Sequence, residues 1–284
     1  MQVQSRIHLL IIDPQNDFCD FPASELPSAD LCAASSVRPA LPVAGANADM
    51  RRLAAFLRRV GGKLRQIHVT LDSHHPVHIA SPAWWTSPDG APPDAFTTIS
   101  AQDMRSGRWR ARNPAWQDRT LAYLEALAES ARYALVVWPE HCLIGHWGHN
   151  VHSALAQELD AWERRTFELV DFIHKGSNPF TEHYSAVRAE VPDPSDGATR
   201  CNERLIGCLR EADTVIVAGE ALSHCVANTV RDIADQVPAL DIEKFVLLLD
   251  CSSPVGGFES LGIRFVHELT ARGMKTANSV DFLA

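Results

Sequence analysis

The sequence predicts a three-layer α/β/α protein built around a parallel sheet. Short β-branched or aliphatic runs alternate along the chain with longer segments whose apolar residues recur every three or four positions. The strand-like runs are apolar throughout, which is typical of parallel strands covered by helices on both faces. A length of 284 residues suffices for one large α/β domain, and we expect residues 1–284 to form a single one.

The strands and helices alternate in a regular order. The predicted strands include "RIHLLII" and "TVIVAGE", and the predicted helices carry apolar residues on one face. In chain order, the predicted strands are 6–12, 65–71, 167–173, 214–220, 244–250 and 274–280. The predicted helices are 47–60, 149–162, 200–211, 225–236 and 258–272.

One segment, at about 76–118, interrupts this alternation. It is rich in Pro, Ser and Trp, as in "SPAWWTSPDGAPPDAF". Segments of this length without regular structure inside a compact domain are usually functional covers or disordered. The tryptophans favour a packed cover, so we predict an insertion that covers the mouth of a site.

Composition and charge restrict the class of partner. The chain has 46% hydrophobic and 21% charged residues and a formal charge of −9 without a block of like charges, which disfavours nucleic acid and anionic membranes as partners. No apolar run approaches the ~20 residues that span a bilayer, and no signal peptide is recognisable at the start. Seven cysteines without a C-x-x-C pair indicate reduced thiols. We expect a cytoplasmic protein that acts on a small molecule.

Residues capable of chemistry stand at the carboxyl ends of four predicted strands, where open parallel sheets bind their ligands. Asp13 ends the first strand, and Asp72 and His74 end the second. Lys175 lies at the tip of the third, and Cys225 near the start of the helix that follows the fourth. Neither G-x-G-x-x-G nor G-x-x-x-x-G-K-[ST] occurs, so we predict no nucleotide cofactor.

Three of these residues could form a nucleophilic site. A thiol at a helix amino terminus near a lysine is expected to have a lowered pKa, which makes Cys225 a candidate nucleophile. Asp13 could accept the thiol proton and return it to a leaving amine, while Lys175 holds negative charge. Backbone N–H groups at the same turn could bind an oxyanion. Position alone leaves open the alternative that Cys225 is a buried, inert cysteine.

Six motifs along the chain resemble the isochorismatase-like cysteine hydrolases and, within that family, the nicotinamidases. They occur in the family's order and are "LLIIDPQNDF" (9–18), "VTLDSHHPVHIAS" (69–81), "WPEHCLIGHWG" (138–148), "HKGSNPFTEHYSA" (174–186), "AGEALSHCVANTVRDI" (218–233) and "LLLDCSSPVGGFE" (247–259). The resemblance implies a six-stranded, mostly parallel sheet of Rossmann-like topology and favours a homo-oligomer.

The same resemblance implies the chemistry of the site. It implies a catalytic triad of Asp13, Lys175 and Cys225. It also implies a cis peptide bond before Ala221 that aims the N–H groups of Ala221 and Cys225 at the oxyanion. The implied reaction is the hydrolysis of nicotinamide, or of a close heteroaromatic or small amide, to the acid and ammonia.

The stretch "LDSHHPVH" indicates half of a metal site. Side chains two apart on a strand share a face, so Asp72 and His74 point together and His75 points elsewhere. The resemblance supplies His141 as the third ligand and leaves two alternatives for the fourth, His78 or water. Such a mixed N and O set suits one divalent Zn, Mn or Fe ion. The metal is expected to orient the substrate through its pyridine nitrogen.

Three aromatic residues are candidates for substrate binding. Phe18 and Trp138 match positions that sandwich the ring in nicotinamidases, although aromatic residues beside a motif are often core. Tyr184 could line the site or serve a structural role. The remaining histidines near the metal motif are predicted to be solvated or capping residues, and the remaining cysteines to be packing residues without a ligand role: His146, His149 and His152; Cys19, Cys32, Cys142, Cys201, Cys208 and Cys251.

The chain departs from the family pattern at two positions. Ser223 stands where many members have Asp, and Glu220 where many have an aliphatic residue before the cis bond. Both departures bear on substrate identity. Two other classes of function are an isochorismatase-type ether hydrolase and a catalytically silent binding protein, and the triad counts against both.

Overall fold

The computed structural model describes residues 5–27, 37–130, 133–236 and 242–284. Cys32, predicted to be a packing residue, lies outside these ranges.

Six parallel strands form the central sheet of the described residues, which confirms the predicted fold class. Their spatial order is β10-β9-β8-β1-β2-β7. In chain order they are β1 (Ile7–Ile12), β2 (Leu64–Asp72), β7 (Asp171–Lys175), β8 (Thr214–Gly219), β9 (Phe245–Leu248) and β10 (Lys275–Ala277). The short strands β3 (Trp85–Thr86), β4 (Thr98–Ile99), β5 (Arg110–Ala111) and β6 (Leu135–Val136) form two antiparallel pairs, β3 with β5 and β4 with β6.

Helices lie on both sides of this sheet. Helices α1 and α4 pack on each other, and α6 packs on α7. The helices are α1 (Ala46–Val60), α2 (Ala101–Arg105), α3 (Gln117–Ser130), α4 (Ser153–Thr166), α5 (Glu203–Glu211), α6 (Ala227–Gln236) and α7 (Glu259–Ala271). Among the described residues, no helix has the length and apolar character needed to span a membrane.

The register of the sheet brings the strand ends together. Ile12 of β1 pairs with Gly219 of β8, and Asp72 of β2 pairs with Lys175 of β7. The central strands are almost fully buried, as expected for parallel strands covered on both faces. The carboxyl ends of β1, β2, β7 and β8 therefore meet at one edge.

Two predicted elements begin four residues later than predicted. The predicted helix 149–162 begins at Ser153, because His152 is its amino-terminal cap, and it ends at Thr166. Phe167 then adopts a left-handed conformation with φ 57° and ends the helix. The predicted strand 167–173 therefore begins only at Asp171, and Lys175 is its last residue. The strands predicted at 244–250 and 274–280 are also shorter, at Phe245–Leu248 and Lys275–Ala277.

The segment predicted as a cover, 76–118, contains the short strands β3, β4 and β5 and the short helix α2. Strand β3 pairs with β5 inside the segment, and Trp84 and Trp85 are buried. It reaches Trp138 in two places: the Trp138 N–H donates to the Ala80 carbonyl at 2.8 Å, and the Phe96 ring lies 5.8 Å from the Trp138 ring. The segment thus contacts a residue of the predicted site, while its role as a cover stays a prediction.

Candidate active site

Lys175 is the centre of a buried group of charges at the carboxyl edge of the sheet. Its Nζ lies 2.9 Å from Asp13 Oδ2 and 3.1 Å from Asp72 Oδ1. The same ammonium donates to the His183 carbonyl at 3.0 Å and lies 3.6 Å from Cys225 Sγ. Because the lysine is only 3% exposed, these partners replace water as its ligands. One cation therefore joins both carboxylates to the thiol.

Asp13, one of the two carboxylates at this ammonium, is held in place by Thr70. Its backbone has a positive φ of 43°, and its N–H donates to Thr70 Oγ1 at 3.0 Å. The Thr70 hydroxyl in turn donates to Asp13 Oδ1. Burial raises the pKa of Asp13 above its ordinary value, although the Lys175 ammonium opposes the rise. A carboxylate with a raised pKa is a better proton acceptor.

The Cys225 thiol lies in a π-helical turn, Leu222–Val226, directly before α6. Burial raises the pKa of this thiol well above its ordinary value, and the Lys175 ammonium only partly offsets the effect. The sequence-based expectation of a lowered pKa is therefore wrong, because desolvation outweighs the lysine. Asp13 Oδ2 and the thiol both contact the Lys175 ammonium, so the two groups lie beside the same cation. The resting group is a protonated thiol with a base beside it.

The turn that carries Cys225 contains a cis peptide bond between Glu220 and Ala221. The resemblance implies a cis bond at this place. Ala221 and Cys225 both line one cavity together with Asp72 and His141. The nucleophile, the turn and the metal-ligand residues thus share a single cavity.

Asp72, His74 and His141 form a cluster that could hold a metal ion. Their ligand atoms lie within 4.8 Å of one another, and all three residues are buried. His74 Nε2 lies 3.0 Å and His141 Nε2 lies 3.4 Å from Asp72 Oδ2. Burial opposes ionisation of Asp72, but His74 and Lys175 hold its pKa well below the ordinary value. The carboxylate is therefore ionised, as metal ligation requires.

The orientation of both histidines suits a metal between them. Nδ1 of His74 lies 3.1 Å from the Gly176 carbonyl, and Nδ1 of His141 lies 2.7 Å from the Pro139 carbonyl. A carbonyl oxygen can only accept, so each Nδ1 carries a proton and leaves Nε2 as the ligand atom. Gly176 has φ +81°, and a Cβ there would lie 2.8 Å from both Asp72 Oδ1 and His74 Cε1, so the position requires glycine. The donor set fits a divalent ion of the Zn, Mn or Fe type.

His78 lies outside this cluster, although its ring packs 4.4 Å from that of His74. Its Nδ1 accepts from the Ala80 N–H at 3.2 Å, and its Nε2 lies 3.2 Å from the Thr181 carbonyl. Both ring nitrogens are thus engaged by backbone, so of the two alternatives for a fourth ligand the geometry favours water. His75 is exposed, in keeping with its predicted direction.

The three aromatic candidates line the same cavity as Cys225. The Trp138 indole N–H donates to the Tyr184 hydroxyl at 2.9 Å, which fixes the two rings relative to each other. Four further residues line the cavity that were not predicted, the polar His224 and Glu182 and the apolar Leu41 and Val255. Adjacency to the nucleophile could have indicated His224. Glu182 could have been indicated by its place in the motif "HKGSNPFTEHYSA", two residues before Tyr184.

The remaining histidines of the motif region have other partners. His152 caps α4 by accepting from the Ala154 N–H at 3.3 Å, His149 Nε2 lies 2.8 Å from Ser73 Oγ, and His146 is exposed. His152 and His146 thus have the predicted capping and solvated roles, whereas the prediction is wrong for His149, which is half-buried and bonded to Ser73. The cysteines other than Cys225 in the described ranges are free, and Cys142 is outside the metal cluster.

The chain is similar in sequence or in structure to known nicotinamidases and pyrazinamidases. Over 97 residues the chain is 33% identical to the nicotinamidase of Escherichia coli (strain K12), which is 34% of this chain and 38% of that protein. A nicotinamidase/pyrazinamidase structure from Acinetobacter baumanii superposes with a TM-score of 0.62 over 100% of both chains, at 23% identity. A Pyrococcus horikoshii pyrazinamidase in complex with zinc superposes with a TM-score of 0.52, at 18% identity over 96% of this chain and 99% of that one.

These likenesses confirm the resemblance drawn from the motifs and show the fold. The chain matches little more than a third of the length of the curated nicotinamidase. No family model matches the sequence.

Proposed function

We propose that this protein is a metal-dependent amidohydrolase that converts nicotinamide, or a close heteroaromatic amide, to the acid and ammonia through a cysteine thioester. The observation that carries the proposal is the buried contact of Lys175 with both Asp13 (2.9 Å) and Cys225 (3.6 Å). Burying two acidic groups around one ammonium is costly, and groups with strongly perturbed pKa values cluster at functional sites. The likeness to nicotinamidases in sequence and fold supports the amide as substrate.

In the first half of the proposed reaction, Cys225 Sγ attacks the amide carbonyl carbon. Asp13 accepts the thiol proton as the C–S bond forms, and the carbonyl π electrons move onto oxygen. The N–H groups of Ala221 and Cys225 are the proposed donors to this oxyanion. When the tetrahedral intermediate collapses, the C–N bond breaks and Asp13 returns the proton to the leaving nitrogen, which departs as ammonia.

In the second half, water cleaves the thioester. Asp13 accepts a proton from the water as its oxygen attacks the carbonyl carbon, and a second tetrahedral oxyanion forms at the same turn. Collapse breaks the C–S bond, the acid leaves, and the proton held by Asp13 regenerates the thiol. Lys175 keeps its proton throughout, because Asp13 and Asp72 raise its pKa against the effect of burial.

Asp72, His74 and His141 are the residues that would hold the metal, with water in the remaining positions. When bound there, a divalent ion would ligate the substrate's ring nitrogen, directly or through water. Phe18, Trp138 and Tyr184 would enclose the ring, since they line the same cavity as the thiol. The zinc-containing pyrazinamidase of the same fold supports zinc as one such ion.

The test is ammonia release from nicotinamide and pyrazinamide, with binding measured in parallel. We expect wild-type protein to release ammonia from at least one amide, and Cys225→Ser to bind it but release almost none. Cys208→Ser, which changes a cysteine of α5, is the matched control and should remain active.

Binding without ammonia release by wild-type protein would contradict the amidase and favour a silent binding protein. Unchanged turnover in Cys225→Ser would eliminate the thioester. Hydrolysis of an enol ether such as isochorismate, without action on either amide, would favour the isochorismatase-type alternative.

A further inference from the structure

The turn that carries the nucleophile is held by a second segment, residues 252–255, which we call the clasp. Four hydrogen bonds join the clasp to residues 219–223: Ser252 Oγ–H to Gly219 O (2.7 Å), Ser253 N–H to Glu220 Oε2 (3.1 Å), Leu222 N–H to Ser253 O (2.9 Å) and Val255 N–H to Ser223 Oγ (3.0 Å). The clasp follows β9 and its short 3-10 turn, so it is anchored in the sheet.

The two departures from the family pattern lie in this contact. Glu220 and Ser223 each accept a backbone N–H of the clasp through a side-chain oxygen. An aliphatic residue at position 220 could not accept the Ser253 N–H. Both departures therefore add hydrogen bonds that hold the turn against the clasp. Glu220 directly precedes Ala221, which lines the cavity.

The second oxygen of Glu220 has a different environment. Glu220 is fully buried, and across the described ranges its Oε1 receives no hydrogen bond from a donor. The Asp49 carboxylate is 2% exposed and is hydrogen-bonded to the same serine, Ser253, whose N–H donates to Glu220 Oε2. Asp49 already accepts from Ser253 Oγ at 2.6 Å and pairs with Arg52. Two adjacent buried carboxyl groups with one cation require one proton between them.

We infer that Glu220 is a neutral, protonated positioning residue, which accepts from the clasp with one oxygen, donates to Asp49 with the other, and so holds the oxyanion turn. The proton belongs to Glu220 because Arg52 pairs with Asp49 and stabilises its charge. The positioning role rests on the proposed amidase function, whereas the protonation state does not.

The surroundings of Glu220 are mainly acidic. Asp49 faces it from α1, with Arg52 paired to that carboxylate, and Cys19 and Asp20 face it from the loop that follows Phe18. Burial and then Asp49 raise the pKa of Glu220 well above 4.5. Because the pKa of Glu220 is higher in the folded than in the unfolded protein, its contribution to folding stability is complete below the unfolded-state pKa. That contribution is lost as pH rises toward the folded-state pKa.

The first experiment compares kcat and KM for nicotinamide in wild-type, Glu220→Gln and Glu220→Leu protein. Glutamine is neutral and can accept from Ser253 while donating to Asp49, so we expect kcat within about twofold of wild type. Leucine can do neither, and we expect kcat to fall by about tenfold or more with little change in KM, because misplacement of the turn affects the transition state. Glu129→Gln, an exposed change on α3, is the control.

Two outcomes would overturn the inference: a loss in Glu220→Gln as large as in Glu220→Leu, which would require an ionised Glu220, or wild-type kcat in a folded Glu220→Leu variant. The melting temperature from pH 5 to 9 decides protonation without any assay of activity. We expect the melting temperature of wild type to fall by several degrees relative to that of Glu220→Gln as pH rises. If the melting temperatures of the two proteins change in parallel with pH, Glu220 is not neutral.

If wild-type protein hydrolyses no amide, the proposed function fails, and the melting profiles still decide whether Glu220 carries a proton.

Discussion

Two groups of residues, each with members that line the cavity, follow opposite electrostatic principles. The ionic cluster consists of buried charges and metal-ligand residues at the ends of β1, β2 and β7 and in the loop after β6: Asp13, Asp72, His74, His141 and Lys175. The neutral cluster lies on the turn after β8 and consists of Glu220, Ser223 and His224, each buried. In the ionic cluster, opposite charges compensate one another. In the neutral cluster, each side chain is uncharged and is held by hydrogen bonds.

The difference predicts how each cluster responds to change. Removing one member of the ionic cluster leaves an uncompensated buried charge, which costs several kcal/mol. Removing a member of the neutral cluster leaves an unpaired dipole, which costs about 1–3 kcal/mol. Substitutions can therefore test whether the two clusters are electrostatically distinct.

The largest expected effect is that of Lys175→Met. Loss of the ammonium leaves Asp13 and Asp72 facing each other without a cation. We expect the free energy of unfolding to fall by about 3–5 kcal/mol at neutral pH and turnover of nicotinamide to fall about a thousandfold or more. Chemical denaturation and the ammonia assay measure the two effects.

Lys63→Met, which removes an exposed lysine, is the control and should lose less than ~1 kcal/mol. The double variant Lys175→Met with Asp13→Asn should regain part of the stability, because one of the two repelling charges is gone. A Lys175→Met variant as stable as wild type would contradict the ionic description.

The ionic cluster was largely predictable because it follows from parallel topology. Apolar strands bring their carboxyl ends together, so Asp13, Asp72 and Lys175 could be assigned to one edge before any coordinates. His74 followed from the alternation of side chains along β2. His141 was accessible only through resemblance, because a loop after the two-residue strand β6 carries it and no periodicity describes such a loop.

The neutral cluster was not predictable in the same way. The hydrogen bonds of Glu220 and Ser223 join segments separated by about thirty residues, and they depend on how the clasp leaves β9. The later start of α4 and β7, by four residues in each case, has a similar origin, because a cap at His152 and a left-handed Phe167 outweigh the apolar pattern "FELVDFI". Local patterns report burial, whereas these features depend on tertiary contacts.

A smaller effect is expected from the metal-ligand residues. Adding Zn²⁺ at about a hundredfold excess over its Kd should raise the free energy of unfolding by about 3 kcal/mol, because the ion binds the folded cluster. His141→Ala should abolish most of this increase, and a chelator should remove both the increase and the activity of wild type.

His75→Ala is the matched control, since His75 is an exposed histidine one residue from the cluster. A response of wild-type size in His141→Ala would place the ion outside the Asp72–His74–His141 cluster.

The smallest expected effect is on the loss of folding stability at acid pH, and it concerns His224 of the neutral cluster. Ser223 Oγ accepts the Val255 N–H at 3.0 Å and lies 2.9 Å from His224 Nδ1, so its own proton goes to that nitrogen. Burial lowers the pKa of His224 from 6.5 to about 4, and the ring is neutral in the folded protein. An unfolded histidine gains its proton near pH 6.5, so this stabilisation is present above 6.5 and is lost as pH falls toward 4.

His224→Gln should therefore reduce the loss of stability between pH 6.5 and 4 by about 2 kcal/mol, measured by denaturation at each pH. Other buried histidines, such as His8 and His152, titrate in the same range and leave the rest of the acid loss in place. His75→Gln, at an exposed position three residues after the end of β2, should keep the wild-type profile. If His224→Gln and wild type lose stability in parallel, His224 is already protonated in the folded state. In that case the cavity has charge on the β8 side as well, and the electrostatic contrast between its two clusters does not hold.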